Sequence, residues 1–389
     1  MLAAPHEFDY ALVGGGLQAA LIALAVRARQ PAARIAIVER GTSLGGNHTW
    51  CFHADDVPAG AADAGGWLAP LVVTRWAGYD VAFPAHRRTL ESAYACVTSE
   101  RVDAVVRPAV DALWLGASAT TVESHRVATP TRALTATVVV DARGPDALTA
   151  RASAARAGWQ VFLGQEIHVP GHGVAHPMLM DATVPQVGGF RFMYVLPLSP
   201  DRLLLEDTIF ADTPALDVDE SRRAIAEYGS ARGWALGAVI REETGSLPLP
   251  LEVAAPTVDA SAPLVAGYAG GWFHPVTGYS FPIAARLAAL VASTPADELF
   301  GDPLVEAARA QGQQLAFAGR LNRMLFGWYP PERRYHVLER FYRLPEATIR
   351  RFYALQLTRA DRARIVLGRP PRGMSLRAAL GGRAAWRPE

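Results

Sequence analysis

Residues 8–40 read FDYALVGGGLQAALIALAVRARQPAARIAIVER, with three consecutive glycines between apolar segments. Their apolar pattern predicts a strand over 10–13, a helix over 17–29 and a second strand over 34–38. The turn between the first strand and the helix is GGGLQA, the G-x-G-x-x-G/A form of the dinucleotide fingerprint. The free N–H groups at the start of such a helix attract phosphate. The order of strand, glycine turn, helix and strand therefore predicts a dinucleotide-binding βαβ unit.

Each fingerprint position has a physical role. Gly14 makes the tight turn, Gly16 lets the backbone approach a pyrophosphate, and Ala19 lets the helix pack closely on the strand. Glu39 closes the second strand and can accept a hydrogen bond from a ribose 2′-OH. An acid at this position favours an unphosphorylated ribose, and hence FAD or NAD over NADP. The alternative is a glycine-rich turn in an α/β protein that binds nothing.

Composition limits the class of protein. The chain has 389 residues, of which 50% are hydrophobic, enough for two interlocked domains or one domain with an appendage. Cys51 and Cys96 offer neither a disulfide framework nor metal-ligand spacing, and this usage suits a reducing cytoplasm. No further Cys/His cluster joins His48 and His53, so no metal is expected. Residues 1–9 lack the basic segment of a signal peptide, and no apolar run is long enough to span a bilayer.

Charge is distributed unevenly along the chain. There is no lysine, so all 38 basic residues are arginine, and the formal net charge is +1. The segment 320–389 holds 16 arginines and five acidic residues, a net charge of +11, which leaves −10 for 1–319. Such a split favours a surface that meets an anionic partner. The alternative is a solvated helical face in which arginine replaces lysine through genomic base bias.

The remaining pattern mixes strands and helices, with no internal repeat. The predicted elements are strands within 71–84, a helix over 89–101, short strands up to 134, a buried strand over 136–141, a hairpin of 190–198 and 202–210 with its turn at 199–201, a helix over 219–229, a breaker at 248–250, a strand at 263–267, a helix over 283–292 and helices through 305–380.

Three strand-to-glycine elements follow one another: the fingerprint with Glu39, then VVVDARG at 138–144, then VAG at 265–267 with PVTG at 275–278. In this order they resemble FAD-binding proteins of the glutathione-reductase/hydroxybenzoate-hydroxylase type, in which a substrate domain interrupts the FAD domain. Tyr268 departs from that pattern, because those proteins usually carry an acid there.

The resemblance implies an α/β fold with three parts. These are a Rossmann-like FAD-binding domain (1–70, 135–157 and 262–300), a mixed-sheet substrate domain (71–134 and 158–261) and a helical, Arg-rich C-terminal region (301–389).

Further motifs are similar to the bacterial lycopene β-cyclase family, and the likeness covers nearly the whole chain in order. They are GNHTW at 46–50, LEDT at 205–208, HPVTGYSFP at 274–282, LNRMLF at 321–326, RFYRLP at 340–345 and RFY at 351–353. The family implies cyclisation of each ψ end of lycopene to a β-ionone ring, through γ-carotene to β-carotene, without net redox change. It also implies FAD that is active when reduced, with NADPH or NADH as its reductant. The alternatives are an FAD-dependent reductase or monooxygenase acting on a lipophilic isoprenoid, and a non-catalytic carotenoid or flavin carrier.

Cyclisation needs an acid that can protonate a C=C bond, and Glu206 is the candidate. Because side chains alternate along a strand, Glu206 shares a face with Thr208 while Asp207 points to the opposite face. Desolvation is therefore the expected cause of a raised pKa at Glu206, rather than proton sharing with Asp207. Asp207 is the second candidate catalytic residue, with a role in orienting a neighbour or supporting the site.

The family likeness also implies the binding residues. The predicted FAD contacts are Gly14, Gly16, Ala19, Glu39, Arg40, Gly46, Asn47, His48, Gly144, Gly267, Thr277, Gly278 and Tyr279. The predicted substrate contacts are Trp272, Phe273, His274 and Phe281, since aromatic faces suit both a polyene and a delocalised cation. For His274, a structural hydrogen bond to a backbone carbonyl is the favoured role.

The expected partners follow from the substrate and the charge. Lycopene and other ψ-end carotenoids reside in a bilayer, and the Arg-rich C-terminal helices suit the surface of anionic lipid. We expect a cytoplasmic protein bound peripherally to the inner face of the cell membrane. Nucleic acid is not an expected partner, because no recognised binding fold accompanies the arginines.

Overall fold

The computed structural model describes residues 7–144, 157–368, 371–375 and 379, and the described strands form three sheets. The parts of the predicted domains that fall at 1–6, at 145–156 and in the remainder of the tail lie outside the described residues.

The first sheet contains the fingerprint. Its strands, in spatial order, are β8 (Ala112–Trp114), β2 (Ile35–Val38), β1 (Phe8–Val13), β11 (Ala133–Asp141), β10 (Arg126–Ala128) and β9 (Thr121–Val122), with β17 (Leu264–Val265) beside the end of β11. Strand β1 runs parallel to β2 and β11. Its side chains are buried on both faces, as its continuous apolar run predicts. The predicted Rossmann-like α/β arrangement is confirmed.

Two helices cover one face of this sheet. Helix α1 (Leu17–Arg29) follows the glycine turn, and helix α4 (Phe281–Ser293) packs beside it. Gln18 Nε2 donates to the carbonyl of Ala284 at 3.2 Å, which ties the two helices together. Both helices therefore begin near the carboxyl ends of β1 and β11, where open α/β sheets bind their ligands.

The second sheet is mixed and contains the long strands. In spatial order these are β16 (Val239–Pro250), β12 (Ala157–His168), β15 (Arg202–Ala211), β14 (Phe190–Ser199), β13 (Met178–Asp181), β5 (Tyr79–Phe83) and β6 (His86–Leu90). The predicted hairpin is confirmed as β14 and β15. The breaker predicted at 248–250 is wrong, since these residues pair with β12. Helix α3 (Val218–Ala231) confirms the helix predicted over 219–229 and packs on the face that carries Leu203 and Leu205.

A small antiparallel sheet lies between these parts, made of β3 (Thr49–His53), β7 (Tyr94–Thr98) and β4 (Thr74–Trp76). The helix predicted over 89–101 is wrong. Residues 94–98 form β7, because they pair with strands on both sides. Helix α2 (Ser99–Val106) begins only after Thr98, whose hydroxyl caps it by accepting from Arg101 N. Residues 112–134 also differ from their assignment to the substrate domain, since β8 to β11 belong to the first sheet.

The C-terminal region is helical over its described part, as predicted. It contains α5 (Asp302–Trp328), α6 (Tyr335–Phe341), α7 (Glu346–Tyr353) and α8 (Arg359–Val366). Short 3₁₀ turns lie at Ala54–Asp56, Ala69–Leu71, Arg107–Ala109, Ala296–Glu298 and Pro331–Arg333. Within the described residues, no helix has the length and apolarity needed to cross a bilayer.

Candidate active site

A single cavity of about 860 Å³ connects the fingerprint to Glu206. At one end it is lined by the turn 14–16 and Glu39, and at the other by the faces of β12, β14 and β15. A volume of this size suits a large cofactor or ligand. The first sheet thus contributes one end of the cavity and the second sheet contributes the other.

The fingerprint turn leaves space where a phosphate would lie. Gly14 has φ +93°, and a Cβ there would lie 2.8 Å from the carbonyl oxygen of Ala142, so only glycine fits. Gly16 precedes α1 as its N-cap, and a Cβ there would meet nothing within 4 Å. The open side of Gly16 faces the cavity together with the unpaired N–H groups of the first turn. This geometry fits a pyrophosphate.

Glu39 is held rigidly at the end of β2. Its Oε2 accepts from the backbone N–H of Gly15 at 2.5 Å, and its Oε1 accepts from that of Gly41 at 2.5 Å. A carboxylate oxygen can accept more than one hydrogen bond, so both oxygens keep capacity for ribose hydroxyls. The described residues therefore fit an adenine dinucleotide.

Most of the other predicted FAD contacts line the same cavity. These are Arg40, Gly46, His48, Gly144, Gly267, Thr277, Gly278 and Tyr279. Tyr279 donates its hydroxyl to Asp56 at 2.9 Å, and burial raises the pKa of that aspartate to about 7. Two predicted contacts lie elsewhere. Ala19 is fully buried between helix and sheet, in the packing role predicted for it, and Asn47 bonds the carbonyl of Glu242 and the guanidinium of Arg241.

Of the four predicted substrate contacts, only Phe281 lines the cavity, and it stacks on Phe52 with ring centroids 4.4 Å apart. Phe273 instead stacks on Tyr268, also at 4.4 Å. Trp272 is buried and lines a separate small cavity between α4 and α5. His274 Nε2 lies 2.9 Å from the carbonyl of Phe352, the structural role favoured for it, and burial lowers its pKa to about 4.

Aromatic side chains that the sequence reasoning missed line the cavity instead. They are Trp50, Tyr94, Phe162, Phe192, Tyr194, Phe210 and Tyr353. Phe192, Tyr194 and Phe210 lie on β14 and β15 at alternate positions, on the same face as Glu206. This period-two pattern was the available signal, because residues i and i+2 of a strand share a face.

Glu206 faces this aromatic cavity without a cationic partner among the contacts of the described residues. Its Oε1 accepts from the hydroxyl of Thr208 at 2.6 Å. Burial raises the pKa of Glu206 to about 8; the nearby carboxylate of Glu243 adds to the rise, and the Thr208 hydrogen bond opposes it. Glu206 is therefore protonated at neutral pH and can act as an acid toward a ligand in the cavity.

Glu243 is a second carboxyl group in this cavity, which the sequence reasoning missed. It lies on β16, and Gly164 of β12 pairs with both Glu206 and Glu243. Its Oε2 accepts from Arg241 Nη1 at 2.9 Å and from the backbone N–H of Thr49 at 3.1 Å. No local motif marks this residue, since only strand pairing brings it near Glu206.

Asp207 points away from the cavity, as the strand alternation predicts. Its carboxylate is fully buried and accepts from Arg191 Nε at 2.7 Å and from Arg191 Nη2 at 2.9 Å. Such a two-point contact is the geometry preferred by arginine and carboxylate. The contact joins β14 to β15 directly behind Glu206, so the supporting role predicted for Asp207 has a structural counterpart.

The fold and the cavity together define an α/β protein of the class found among flavin-dependent enzymes. The structure is similar to that of a halogenase in complex with FAD, with a TM-score of 0.61 at 10% identity over 92% of this chain and 85% of that chain. It is also similar to a flavin-dependent brominase, with a TM-score of 0.60 at 14% identity over 90% and 93% of the two chains. A geranylgeranyl bacteriochlorophyll reductase-like protein from Thermoplasma acidophilum has a TM-score of 0.58 at 12% identity over 92% and 95%.

The sequence comparisons are more specific. The family model described as lycopene cyclase protein matches residues 9–379, and the chain belongs to this family. It is 44% identical to a lycopene beta-cyclase of Pseudescherichia vulneris over 96% of this chain and 97% of the relative. It is 43% identical to a lycopene beta-cyclase of Pantoea ananas, over 94% and 96% of the two chains.

Proposed function

We propose that this protein is a lycopene β-cyclase that converts the ψ ends of lycopene to β-ionone rings, through γ-carotene to β-carotene, with no net redox change. The observation that carries the proposal is the position of Glu206. It is a carboxyl group protonated at neutral pH, in an aromatic cavity that continues to the fingerprint turn 14–16 and Glu39. Membership of the lycopene cyclase family supports the choice of substrate.

The chemistry of the proposal balances without an external oxidant or reductant. Glu206 gives its proton to C2 of the ψ end, which leaves a cation at C1. C6 of the C5=C6 double bond then bonds to C1 and closes the ring, which moves the cation to C5. The proton on C6 passes to a base and its bonding electrons re-form the C5=C6 double bond, so one proton is gained at C2 and one is lost from C6. The cavity residues Phe192, Tyr194 and Phe210 present aromatic rings to this cation, which such rings stabilise.

The fingerprint turn, with Gly14 and Gly16, and Glu39 would hold FAD. Gly14 makes the tight turn, Gly16 leaves room for the pyrophosphate, and Glu39 has free lone pairs for the adenosine ribose. When bound in its reduced form, FAD would supply negative charge that favours a cation in the same cavity, an electrostatic contribution that is often large in sites shielded from water. NADPH or NADH would be needed to reduce FAD, and would not be consumed in proportion to product.

Substituting Gly16 with valine should weaken FAD binding without unfolding the protein. A side chain at Gly16 meets no protein atom within 4 Å, so it would project into the open side of the turn. We expect FAD affinity to fall at least about tenfold, or about 1.4 kcal/mol, measured by titrating the apoprotein with FAD. Gly327→Val is the matched control, since a Cβ at Gly327 of α5 also meets nothing within 4 Å. Equal FAD affinity in the Gly16 variant and the parent would show that FAD does not bind at the fingerprint turn.

Membrane binding through the C-terminal region is the second part of the proposal. Several of its arginines bind acidic residues, among them Arg350 with Asp55 at 2.7 Å and Arg351 with Asp361 at 2.7 Å. The aromatic residues of this region, including Phe326, Phe341, Tyr342 and Phe352, are buried in the core. The side chains of this region that would contact a lipid surface are therefore its exposed arginines and the exposed Leu367.

Binding to anionic liposomes should accordingly depend on salt. Each arginine near an anionic surface contributes about 1 kcal/mol, so replacing the exposed Arg320 and Arg359 together by glutamine should weaken partitioning by roughly tenfold or more. Cosedimentation at low and high ionic strength measures this. Arg223→Gln, at an exposed position on α3, is the control. Partitioning that is insensitive to salt, or to the double substitution, would contradict this surface.

The proposed activity is tested by expressing the chain in cells that accumulate lycopene and analysing the pigment. A product isomeric with lycopene and carrying cyclic ends is expected. A mass change of two hydrogens or one oxygen would point to a reductase or monooxygenase, and unaltered lycopene to a carrier.

A further inference from the structure

We propose that Glu243 is a positioning residue of this site: a buried, ion-paired carboxylate, held across Gly164 from Glu206, whose negative charge keeps the proton on Glu206 until the substrate takes it. This inference rests on the proposed function, in which Glu206 is the acid.

The two carboxyl groups are close because the residue between them has no side chain. A Cβ at Gly164 would lie 3.4 Å from Glu206 Oε2 and 3.5 Å from Glu243 Oε1. Both oxygens are therefore near the same point, and the two distances together limit their separation to about 7 Å. Any larger residue at Gly164 would occupy the space between them. At this distance, in a site of low dielectric constant, two carboxylates repel each other strongly.

The surroundings of the two groups decide which one holds the proton. Glu243 has a cationic neighbour, Arg241, and also accepts from the Thr49 amide. Among the described residues, Glu206 accepts from the Thr208 hydroxyl alone. Hydrogen bonds and a nearby cation favour the ionised form of a carboxyl group, whereas burial without them favours the neutral form. Burial raises the pKa of Glu243 as well, but the Arg241 charge and the hydrogen bonds from Arg241 and Thr49 oppose that rise. Within the described part of the chain, only the Thr208 hydrogen bond opposes the rise at Glu206. The pair is therefore asymmetric, with the charge on Glu243 and the proton on Glu206, and such asymmetry assigns acid and base roles in enzymes.

Arg241 is fixed in place by several contacts. Its guanidinium donates to the side chains of Asn47 and Thr49, and its Nε lies 3.5 Å from Glu166 Oε2. Asn47, for which the sequence predicts cofactor binding, accepts a hydrogen bond from this arginine. The loop 46–49 and β16 therefore hold the Glu243 charge at a defined distance from Glu206.

The other titratable groups around Glu206 do not supply this charge. Tyr194 of β14 lies opposite Glu206, and its hydroxyl bonds that of Tyr94 of β7 at 3.1 Å. Burial raises the pKa of both phenols well above their ordinary value, so they stay neutral. Asp207 is on the opposite face of β15 and is paired with Arg191. Cys51 of β3 and His48 also line the cavity; burial lowers the pKa of His48, with the Arg241 charge as a further cause.

The test is the midpoint at which Glu206 loses its proton, measured by infrared spectroscopy. The C=O band of protonated Glu206 is identified by its loss in Glu206→Gln, and its intensity is followed against pH. In the parent protein the midpoint should lie near 8. In Glu243→Gln it should fall by about one to two pH units, the usual effect of removing one nearby charge. Glu243→Asp keeps the charge and should retain more of the shift than Glu243→Gln.

Glu242→Gln is the matched control. Glu242 is the neighbouring residue on β16, but its side chain points away from Glu243 and bonds Arg222 and Gln165. Its replacement should leave the Glu206 midpoint unchanged.

The result that overturns the inference is a Glu206 midpoint that does not move in Glu243→Gln. If that variant does not fold, a midpoint in the ordinary glutamate range in the parent protein also overturns it. Cyclisation by Glu206→Gln would instead exclude Glu206 as the acid, and unaltered lycopene in cells that express the parent chain would overturn the proposed function itself, so the failures are distinguishable.

Discussion

Glu206→Gln should abolish cyclisation. Glutamine has nearly the same shape and can still bond Thr208, but it has no proton to give to a C=C bond. Loss of a general acid typically lowers the rate by about 10²–10⁴-fold. A larger loss of rate is expected here because the atom that accepts the proton is carbon. The effect is measured as the rate of β-ionone ring formation by the protein carrying reduced FAD. In the parent protein the same rate should fall as pH rises through about 8, because the proton leaves Glu206.

The control for this substitution must show that the cavity is intact. Glu206→Gln should bind FAD as the parent does, because Glu206 lies at the end of the cavity remote from the fingerprint. Glu242→Gln provides the same chemical change on the outer side of β16 and should retain activity. Turnover in Glu206→Gln at a rate near that of the parent would exclude Glu206 as the acid.

Asp207→Ala should destabilise the whole protein rather than act on the chemical step alone. The side chains of Asp207 and Arg191 are 0% and 5% exposed. Removing the carboxylate therefore leaves a buried guanidinium whose one remaining carboxylate partner among the described residues is Glu220, at 3.4 Å. Breaking a buried ion pair in this way costs about 3–5 kcal/mol. The free energy of unfolding, measured with urea, should fall by this amount, and activity should fall with the loss of folded protein.

An exposed aspartate supplies the comparison. Asp219 is 86% exposed and lies 3.2 Å from Arg222. Exposed ion pairs contribute about 0–1 kcal/mol, so Asp219→Ala should change stability little. Replacing both partners of the buried pair, as Arg191→Met with Asp207→Leu, should recover much of the lost stability, since no unpaired charge remains. Equal effects of Asp207→Ala and Asp219→Ala would contradict the structural role of the buried pair.

The fingerprint could be predicted from the sequence because each of its steps is local. Glycine at position 14 is required by a positive φ and by contact with Ala142, and the strand and helix beside it have clear apolar periods. The hairpin of β14 and β15 was predictable for the same reason. From it followed the opposite orientations of Glu206 and Asp207.

Other features depend on contacts that are distant in the chain. Residues 94–98 contain alanine and cysteine in a pattern that does not exclude helix, and pairing with β3 and β4 makes them a strand. The direction of a loop side chain such as Phe273 cannot be predicted in this way, because loop residues follow no repeating sequence pattern. Glu243 gave no signal because its position beside Glu206 depends on the pairing of three strands through Gly164.

In the proposed reaction, Glu206 donates a proton to carbon in a redox-neutral cyclisation. This proton transfer is tested by reacting lycopene in D₂O with an excess of the protein carrying reduced FAD. The mass spectrum of the carotenoid product is then recorded. The exchangeable Glu206 proton is then deuterium, and the account predicts an isomer of lycopene with one deuterium at C2 of each ring formed. A cyclic product without deuterium at C2, or a product changed by two hydrogens or one oxygen, would contradict it.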